Sequence, residues 1–380
     1  MSKKSLWPRW RPGFPLRYRR AGSFAAAFHL NNSRAMACPR FLVAMVAILV
    51  PFCVFLLVTG IRAAVPNLIL VNTTSDTPAP GFCTLREAIA NANAESDVSG
   101  GDCTAGAGNN IIQFSVSGTI HIGANGTLAI VNTGNTLTIE GSKQSITLSG
   151  DNLDNVFFVL GGSLALGNLT ISGGSAAGGN GGAIVNDGTL LAVNCTFSNN
   201  GAAFGGGIEN GDTLVVNNCT FSQNNATSEG GGIYNGFIAT VTNTTFSGNT
   251  SSGGSFGGQG GGIYNNGGAT LTVTNSTFSG NSTSGTSFGG QGGGILTGGT
   301  AIVTNSTFAG NSASTNGGGI FTSGTTTVTN STQSGGAKAA HSEWYDGRRD
   351  DPSTTESAEG RRLFRSGSSP WSAANNADAR

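Results

Sequence analysis

Apolar and polar positions alternate with a period of two in short segments of the middle of the chain, as in Leu271-Thr272-Val273. This period is typical of a half-buried β-strand, whose successive side chains face opposite sides. Turn residues separate the segments: a glycine triplet precedes Ile263, and Asn275 comes before Ser276-Thr277-Phe278, where the alternation resumes. One unit is therefore predicted to contain three short strands joined by tight turns, and the repeat region has no apolar spacing typical of a helix.

This unit recurs along the chain. The segment GGGIYNNGGATLTVTNSTFSGN starts at Gly260, and close counterparts start at Gly181, Gly205, Gly230, Gly292 and Gly317. Its phenylalanine is spaced by 24, 25, 32 and 30 residues between Phe197, Phe221, Phe246, Phe278 and Phe308. Repeats of this length predict a solenoid, in which each coil buries its apolar side chains against its neighbours. Gly/Ser-rich insertions with Phe256 and Phe288 account for the longer spacings, and these two rings are either exposed contacts or loop packing.

Stacked coils place equivalent residues above one another, about 4.8 Å apart. The five phenylalanines are therefore predicted to form a core ladder. A second ladder, of asparagines buried at one turn and hydrogen-bonded between coils, is predicted for Asn194, Asn218, Asn243, Asn275 and Asn305. Cys195 and Cys219 are equivalent in neighbouring coils, and we expect buried stacked thiols, because in-register parallel neighbours rarely orient their Cβ atoms for a disulfide.

The composition supports a solenoid of short strands, and charged residues are distributed unevenly along the chain. Glycine accounts for 62 of the 380 residues and charged residues for only 10%, which together with the repeat favours many short strands. Residues 1–40 carry nine Lys or Arg and no acid, whereas residues 63–337 carry twelve acids and two bases, a net charge of −10. An acidic body argues against nucleic-acid binding, which needs a basic face.

An uncharged apolar segment follows the basic start. Residues 41–60 read FLVAMVAILVPFCVFLLVTG, which fits either a cleaved secretory signal or a retained membrane anchor. Because Met36 offers a conventional start, residues 1–35 are interpreted as a basic extension or a mis-assigned start, and residues 36–64 as the signal or transmembrane segment. Either way the body is expected to be exported.

The segment that follows contains two cysteines and a short helical pattern. In an oxidising compartment Cys83 and Cys103 are predicted to form a disulfide, which would contribute about 3 kcal/mol in the chain-entropy model. Between them Leu85, Ala88 and Ile89 have helical spacing. We expect a short helix that covers the first coil, with Arg86 and Glu87 bonded locally within this cap.

Two motifs resemble a known group of proteins. The repeat, GG-A/G-I followed by N-C/S/T-T-F-S-x-N, resembles that of chlamydial polymorphic outer membrane proteins. CTLREAIANANA, at Cys83–Ala94, resembles the CSLREA motif at the start of many exported bacterial β-helices, with Thr84 in place of its serine. The matching positions are Cys83, Leu85, Arg86, Glu87, Ala88, Ile89 and Asn93.

The resemblance covers about residues 69–332 and implies an all-β fold, a right-handed, single-stranded parallel β-helix like that of pectate lyases. A cap over residues 65–110 and β-helix repeats over residues 111–332 are expected, with irregular early coils up to residue 174. The resemblance also implies a secreted protein or one at the cell surface or outer membrane, for which adhesion is the usual suggestion.

Parallel β-helices also include polysaccharide lyases and glycosidases, so an active site has to be considered. A lyase of this kind needs Ca²⁺-binding carboxylates and a base, and a glycosidase needs two acids facing one bond. The repeat region contains Asp187, Glu209, Asp212 and Glu229 and no Lys or Arg. These acids are interpreted as solvated turn residues, with weak cation binding as the alternative, and His121 as a structural residue. No catalytic, cofactor-binding or metal-binding residue is assigned, and no cofactor is expected.

The repeat stops near the end of the chain. Gln333 occupies the phenylalanine position, and the tail from Lys338 contains seven bases and seven acids. Residues 333–380 are interpreted either as the product of a frameshift or as a disordered terminus.

The sequence thus predicts a non-enzymatic adhesion or interaction scaffold, whose Ser/Thr/Asn-rich face contacts host cells, matrix or glycans. A carbohydrate-active β-helix enzyme is the alternative, and a passive envelope protein without a ligand is a third possibility. Membrane contact is expected only through the N-terminal segment or outer-membrane association.

Overall fold

The computed structural model describes residues 66–131, 134–253, 257–286 and 289–334. Within these ranges the chain is a parallel β-solenoid, since every pairing between its strands is parallel and equivalent residues of successive coils are partners. The prediction of an all-β parallel solenoid is confirmed. The predicted extension, the signal or membrane segment, Phe256, Phe288 and the tail beyond Ser334 lie outside the described residues.

Four sheets, named A to D in the order in which a coil visits them, form the solenoid. Sheet A contains β1 (Asn67–Val71), β2 (Asn110–Phe114), β5 (Thr136–Glu140), β8 (Ser163–Gly167), β12 (Thr189–Val193), β16 (Thr213–Asn217), β20 (Ile238–Thr242), β24 (Thr270–Thr274), β28 (Thr300–Thr304) and β32 (Thr325–Thr329). Sheet B contains β3 (Gly118–His121), β6 (Ile146–Ser149), β9 (Thr170–Ser172), β13 (Thr196–Ser198), β17 (Thr220–Ser222), β21 (Thr245–Ser247), β25 (Thr277–Ser279), β29 (Thr307–Ala309) and β33 (Thr332–Ser334). Sheet C contains β10 (Ser175–Asn180), β14 (Gly201–Phe204), β18 (Asn225–Glu229), β22 (Thr250–Ser252), β26 (Ser282–Ser284) and β30 (Ser312–Ala313). Sheet D contains β4 (Leu128–Ile130), β7 (Phe157–Val159), β11 (Ile184–Asn186), β15 (Ile208–Asn210), β19 (Ile233–Asn235), β23 (Ile263–Asn265), β27 (Ile295–Thr297) and β31 (Ile320–Thr322).

Each regular coil contains four strands, so the expectation of three was wrong. The missed strands are those of sheet C, for example β22, whose Thr250 pairs with Ser282 of β26. Their sequences, such as SAAGGN and NATSE, are rich in Ser and Ala, contain some Gly and Asn, and lack the apolar alternation that marks a strand. These segments form strands because the strands of sheets B and D on either side of them already pair with the adjacent coils. That pairing brings the backbone N–H and C=O groups of successive sheet C segments into register.

Inward side chains from sheets A, B and D fill the solenoid. In one coil Ile263, Leu271, Val273 and Phe278 are all fully buried. The rings of Phe197, Phe221, Phe246, Phe278 and Phe308 stack with centroids 4.7 or 4.8 Å apart. This separation matches the spacing of paired strands, so each ring contacts the next without leaving its coil.

Two separate structural requirements explain the glycine triplet. Gly260 adopts φ +64°, a left-handed conformation that a side chain disfavours. A Cβ atom on Gly262 would lie 2.9 Å from the Cδ1 atom of Phe278. The first glycine therefore turns the chain, and the third lets the backbone cross the stacked rings.

The N-terminal part contains one α-helix in the described residues, α1 (Leu85–Ala94), and a 3₁₀ turn at Gly123–Asn125. The Thr84 side chain accepts a hydrogen bond from the Glu87 N–H, and the Glu87 carboxylate accepts one from the Thr84 N–H. This reciprocal pair satisfies backbone donors that a helix start leaves free. Leu85, Ala88 and Ile89 are buried, as their spacing predicts.

The contacts of Arg86 reach further than the expected local bond. Its guanidinium makes a salt bridge of 2.7 Å with Asp76, whose side chain is 2% exposed, and donates to the Gly126 carbonyl at 2.6 Å. Arg86 therefore joins the helix to segments on both sides of it. Cys83 and Cys103 are joined by a disulfide bond in the same region.

Both ends of the regular region extend beyond the boundaries drawn from the sequence. Strand β1 precedes α1 and pairs with β2 in sheet A, so a solenoid strand lies within residues 65–110. At the other end β33 runs to Ser334, and Gln333 pairs with Phe308. Backbone pairing continues where the side-chain pattern stops, because the ladder bonds do not depend on the phenylalanine. The early coils are also in register with later ones, as Ile171 with Phe197.

The phenylalanine ladder generates a stability prediction. Replacing the fully buried Phe246 by alanine, F246A, removes a ring held between Phe221 and Phe278. We expect the free energy of unfolding to fall by about 3–5 kcal/mol, as for other buried phenylalanines. Urea unfolding followed by circular dichroism measures the loss. Thr245→Ala, on the outer side of the same strand, is the control and should cost less than about 0.5 kcal/mol. Equal midpoints for the two variants would contradict a stabilising ladder.

Candidate functional site

The asparagines assigned to a turn ladder form an exposed row between sheets A and B, so the expectation that they are buried was wrong. Each has φ between 51° and 55°, the left-handed conformation that asparagine tolerates better than most residues. The Asn218 Nδ2 atom donates to the Asn194 Oδ1 atom at 2.7 Å, and Asn305 donates to Asn275 at 3.2 Å. Asn275 donates to Asn243 at 3.3 Å, but Asn243 donates to Asn217 at 3.2 Å and not to Asn218. The row is thus accessible from outside and hydrogen-bonded along the solenoid except between Asn218 and Asn243.

The buried amide ladders consist of other asparagines, which were not among the predicted site residues. The first contains Asn200, Asn224, Asn249, Asn281 and Asn311, and the second contains Asn186, Asn210, Asn235 and Asn265. In the first ladder Asn249 Nδ2 donates to Asn281 Oδ1 and to the Phe221 carbonyl, both at 2.9 Å. The sequence contains a pattern that could have identified the first ladder, because an asparagine stands three residues after each phenylalanine of the core ladder.

The outer side of sheet B forms a two-column surface that we call the hydroxyl face. Its threonine column is unbroken in register through all nine strands and contains Thr119, Thr147, Thr170, Thr196, Thr220, Thr245, Thr277, Thr307 and Thr332. Its serine column contains Ser149, Ser172, Ser198, Ser222, Ser247, Ser279 and Ser334, with Ala309 as the interruption.

Most hydroxyl groups of this face are available to a ligand. Thr332 donates to Thr307 at 3.4 Å, and Ser149 donates to Asp151 at 2.7 Å. Within the described residues the other threonine and serine hydroxyls of the face have no hydrogen-bond partner in the protein. The face therefore presents donors and acceptors at regular intervals.

One acid and one histidine lie at the end of the serine column. The His121 Nδ1 atom is 2.7 Å from the Asp151 Oδ1 atom, which also accepts the Ser149 hydrogen bond. Burial opposes ionisation of Asp151, but the hydrogen bonds from His121 and Ser149 outweigh it and lower the pKa of Asp151. The serine bonds to the aspartate rather than to the imidazole, so this is not the order of a nucleophilic triad.

Glu209 is not a solvated turn residue, which corrects the sequence interpretation. It lies in β15 with its side chain on the outer side of sheet D, paired with Val185 and Tyr234, and it is only 8% exposed. Burial, followed by the charge of Asp187, raises the pKa of Glu209 to about 7. Within the described residues its carboxylate has no hydrogen-bond or ion-pair partner.

Aromatic rings and a second acid continue this outer surface. Tyr234 and Tyr264 stack with centroids 5.3 Å apart, and Phe204 meets Tyr234 edge-on at 5.7 Å. Burial raises the pKa of Glu229, while burial and then the Glu229 charge raise the pKa of Tyr264 to about 12. The structure thus combines Glu209, Glu229 and two tyrosines into an acid–aromatic surface.

The other acids of the repeat region do not complete a metal site. Asp212 lies in the turn before β16, where its Oδ1 atom accepts a hydrogen bond from the Thr213 hydroxyl at 3.2 Å. Among the described residues there is no group of three or more His, Cys, Asp or Glu side chains that would hold a metal ion.

Cys195 and Cys219 are free thiols, 1% and 3% exposed. The Cys195 N–H donates to the Cys219 sulfur at 3.3 Å. The hydrogen bond with Cys219, followed by burial, raises the pKa of Cys195, whereas the hydrogen bond with Cys195 lowers the pKa of Cys219.

Comparison with known proteins identifies the repeat. Residues 218–236 and 305–323 match the Chlamydia polymorphic membrane protein repeat. Both segments start at an exposed asparagine of the turn and continue through strands of sheets B, C and D. The resemblance of the repeat is confirmed, whereas that of Cys83–Ala94 to the CSLREA motif stays a prediction.

Neither the curated proteins nor the solved structures gave a match. In the described ranges no helix has the length and apolar character needed to cross a membrane.

The buried amide ladder generates a second prediction. Asn249→Ala removes the acceptor of Asn224 and the donor to Asn281, and it leaves the Phe221 carbonyl without its side-chain bond. Since each buried unpaired polar group costs about 1–3 kcal/mol, we expect a loss of roughly 3 kcal/mol or more in urea unfolding. Asn243→Gly is the matched control, because it removes an exposed ladder amide at φ 51° and glycine accepts that conformation. A larger loss for the control would refute the assignment.

Glu209 generates a pH prediction. The unfolded chain releases this proton near 4.5, whereas the folded protein holds it up to about 7. The stability that the neutral acid contributes is therefore complete below pH 4.5 and is lost as the pH rises to 7. Because a glutamine side chain cannot ionise, Glu209→Gln should raise the unfolding free energy at pH 8 by on the order of 2 kcal/mol and leave it nearly unchanged at pH 4. Thermal unfolding across this range, with Asp212→Asn as the control, measures the difference; a gain independent of pH would contradict the prediction.

Proposed function

We propose that the protein is an exported adhesion scaffold, secreted or at the cell surface, that binds neutral polysaccharide chains along its hydroxyl face. The observation that carries the proposal is the continuous pair of threonine and serine columns on sheet B. Chlamydia polymorphic membrane protein repeats are associated with outer-membrane and surface proteins, which supports the location.

The spacing of the columns suits a periodic ligand. Hydroxyl groups repeat about every 4.8 Å along a column, and the two columns are about 6.6 Å apart because the threonine and the serine of a strand are two positions apart, with one residue between them. The first distance is similar to the length of one sugar unit in an extended polysaccharide. A chain parallel to the solenoid axis would meet one threonine and one serine per sugar. Single bonds of this kind contribute only about 0.5–1.5 kcal/mol each, so affinity would come from their number.

Charge restricts the kind of polysaccharide. The twelve acids against two bases in residues 63–337 repel uronate polymers such as pectin and alginate. The hydroxyl face and the adjoining asparagine row provide uncharged donors and acceptors, which fit a neutral glucan or xylan. The scaffold is proposed to bind such chains without cleaving them.

Cleavage is the second candidate function, and Glu209 favours it. A glycosidase needs a carboxylic acid that keeps its proton near neutral pH, together with a second carboxylate. Glu209 has a pKa of about 7 and Glu229 lies on the same acid–aromatic surface. Incubation with neutral and acidic polymers distinguishes the two functions: new reducing ends that Glu209→Gln abolishes would establish cleavage, and binding without product supports the scaffold.

Binding to the hydroxyl face is tested by removing its hydroxyls while keeping the β-branched shape. A triple variant, Thr220→Val, Thr245→Val and Thr277→Val, should lower the affinity of the full chain for insoluble glucan at least tenfold in a depletion assay. The matched control changes threonines on the outer side of sheet A, Thr240→Val, Thr272→Val and Thr274→Val. Equal losses in the two variants, or tighter binding of alginate than of glucan, would refute the proposal.

A further inference from the structure

One inward position of the coil, directly after the exposed asparagine turn, forms a column of small polar side chains. The column contains Cys195, Cys219, Thr244, Ser276, Ser306 and Ser331, all at most 5% exposed. In four of these six coils the side chain is a hydroxyl with two well-formed hydrogen bonds. Ser306 is typical: its Oγ atom accepts from the Ser276 N–H at 3.2 Å and donates to the Thr304 carbonyl at 2.9 Å.

Two sulfur atoms occupy this column in adjacent coils. The Cys219 sulfur accepts from the Cys195 N–H at 3.3 Å, and it donates to the Asn217 carbonyl at 3.4 Å. Thiols are weak donors and weak acceptors, so they satisfy these backbone groups less well than a hydroxyl does. Packing and hydrogen bonding at this position therefore favour serine or threonine, and the pair of thiols adds a chemistry that the fold does not require.

The distance between coils bears on which link the two sulfurs can form, a disulfide or a bridge through a metal ion. The strands that follow the two cysteines pair in register, Thr196 with Thr220, so equivalent atoms are about 4.8 Å apart. A disulfide needs its sulfurs about 2.0 Å apart. Two thiolate–metal bonds, each similar in length to the zinc–thiolate bond of about 2.3 Å and arranged in a line, hold the sulfurs roughly 4.6 Å apart. Each sulfur donates to the carbonyl two residues earlier, Cys195 to Val193 and Cys219 to Asn217, so the two side chains point the same way and their sulfurs lie about one coil spacing apart. This separation matches a metal bridge, whereas a disulfide would require the side chains to rotate toward each other.

We propose that Cys195 and Cys219 form a two-coordinate site for a soft monovalent metal ion, with copper(I) as the representative ion. Thiolate ligands select copper(I) over hard cations. Zinc requires four ligands, and the described residues around this pair offer no third ligand of the usual kinds. Binding replaces two S–H bonds by two S–metal bonds and releases two protons to solvent, with no change in oxidation state.

The surroundings would retain a bound ion. Leu169, which is 2% exposed, occupies the equivalent position in the preceding coil, and Thr244, 1% exposed, occupies it in the following one. The pair is thus enclosed within the solenoid between an apolar and a hydroxyl-bearing side chain. Exchange of the ion is expected to be slow, because it needs local opening of the coil.

The test uses the full chain, oxygen-free, with silver(I) as a probe that does not change oxidation state and copper(I) held reduced by ascorbate. Four proteins are compared: the wild type, Cys195→Ser, Cys219→Ser and the double variant. Serine is the residue of other coils at this position, so the variants should keep the wild-type circular dichroism spectrum and urea midpoint. Cys38 and Cys53 are present in all four proteins and cancel in the comparison.

We expect the wild type to bind one metal ion more than the double variant, with a sulfur-to-metal absorption band in the near ultraviolet. Each single variant should bind this ion at least 100-fold more weakly, because both sulfurs hold it, and excess zinc should not displace it. Equal stoichiometry in the wild type and the double variant would overturn the proposal. So would single variants that keep the wild-type affinity, or mass spectrometry of the purified protein that shows Cys195 bonded to Cys219.

Discussion

One constraint underlies the structure: residues one coil apart lie directly above one another at the spacing of paired strands, about 4.8 Å. Any side chain that the repeat places inside is therefore stacked on its own kind. Aromatic rings such as Phe246 and Phe278, with centroids 4.7 Å apart, satisfy this constraint as nearly parallel pairs. Buried amides satisfy it as well, because an asparagine is both donor and acceptor and Asn249 bonds to Asn281 in the next coil. A buried charge repeated in the same way would repel its neighbours, and the interior of the regular coils contains apolar, amide, hydroxyl and thiol groups.

The same constraint makes the outer surfaces periodic. An outward threonine in one coil becomes a column through sheet B, and the hydroxyl face follows from a repeat that was set by the interior. Side chains that break a column are the informative ones. Glu209 stands in register with Val185 and Tyr234, and burial together with the nearby charge of Asp187 raises its pKa to about 7. Cys195 and Cys219 interrupt a hydroxyl column in the same sense. Departures from local consistency are where function is expected, since the fold alone does not require them.

The acid–aromatic surface and the hydroxyl face differ in what they can recognise. The hydroxyl face presents many equivalent weak groups, which favours a long periodic ligand bound by summation. The surface around Glu209 and Glu229 presents a few distinct groups from sheets D and C, which favours a local event such as proton transfer. The two surfaces are thus suited to different ligands, and they lie on different sheets of the solenoid: the hydroxyl face on sheet B and the acid–aromatic surface on sheets C and D.

By itself the sequence determined the repeating coil, its inward phenylalanines and the turn asparagines, because alternation and period are properties of neighbouring residues. The spacing of Phe197 and Phe221 was sufficient to place their rings in one ladder. The tertiary structure alone decided which asparagines are buried, since Asn243 and Asn249 lie in the same repeat and differ only in the direction that the turn gives them. It also decided that the Gly/Ser segments pair as sheet C and that Glu209 is enclosed, because both depend on the coils above and below. Local pattern specifies which residues repeat, whereas burial, pairing and pKa values arise only when the repeats are stacked.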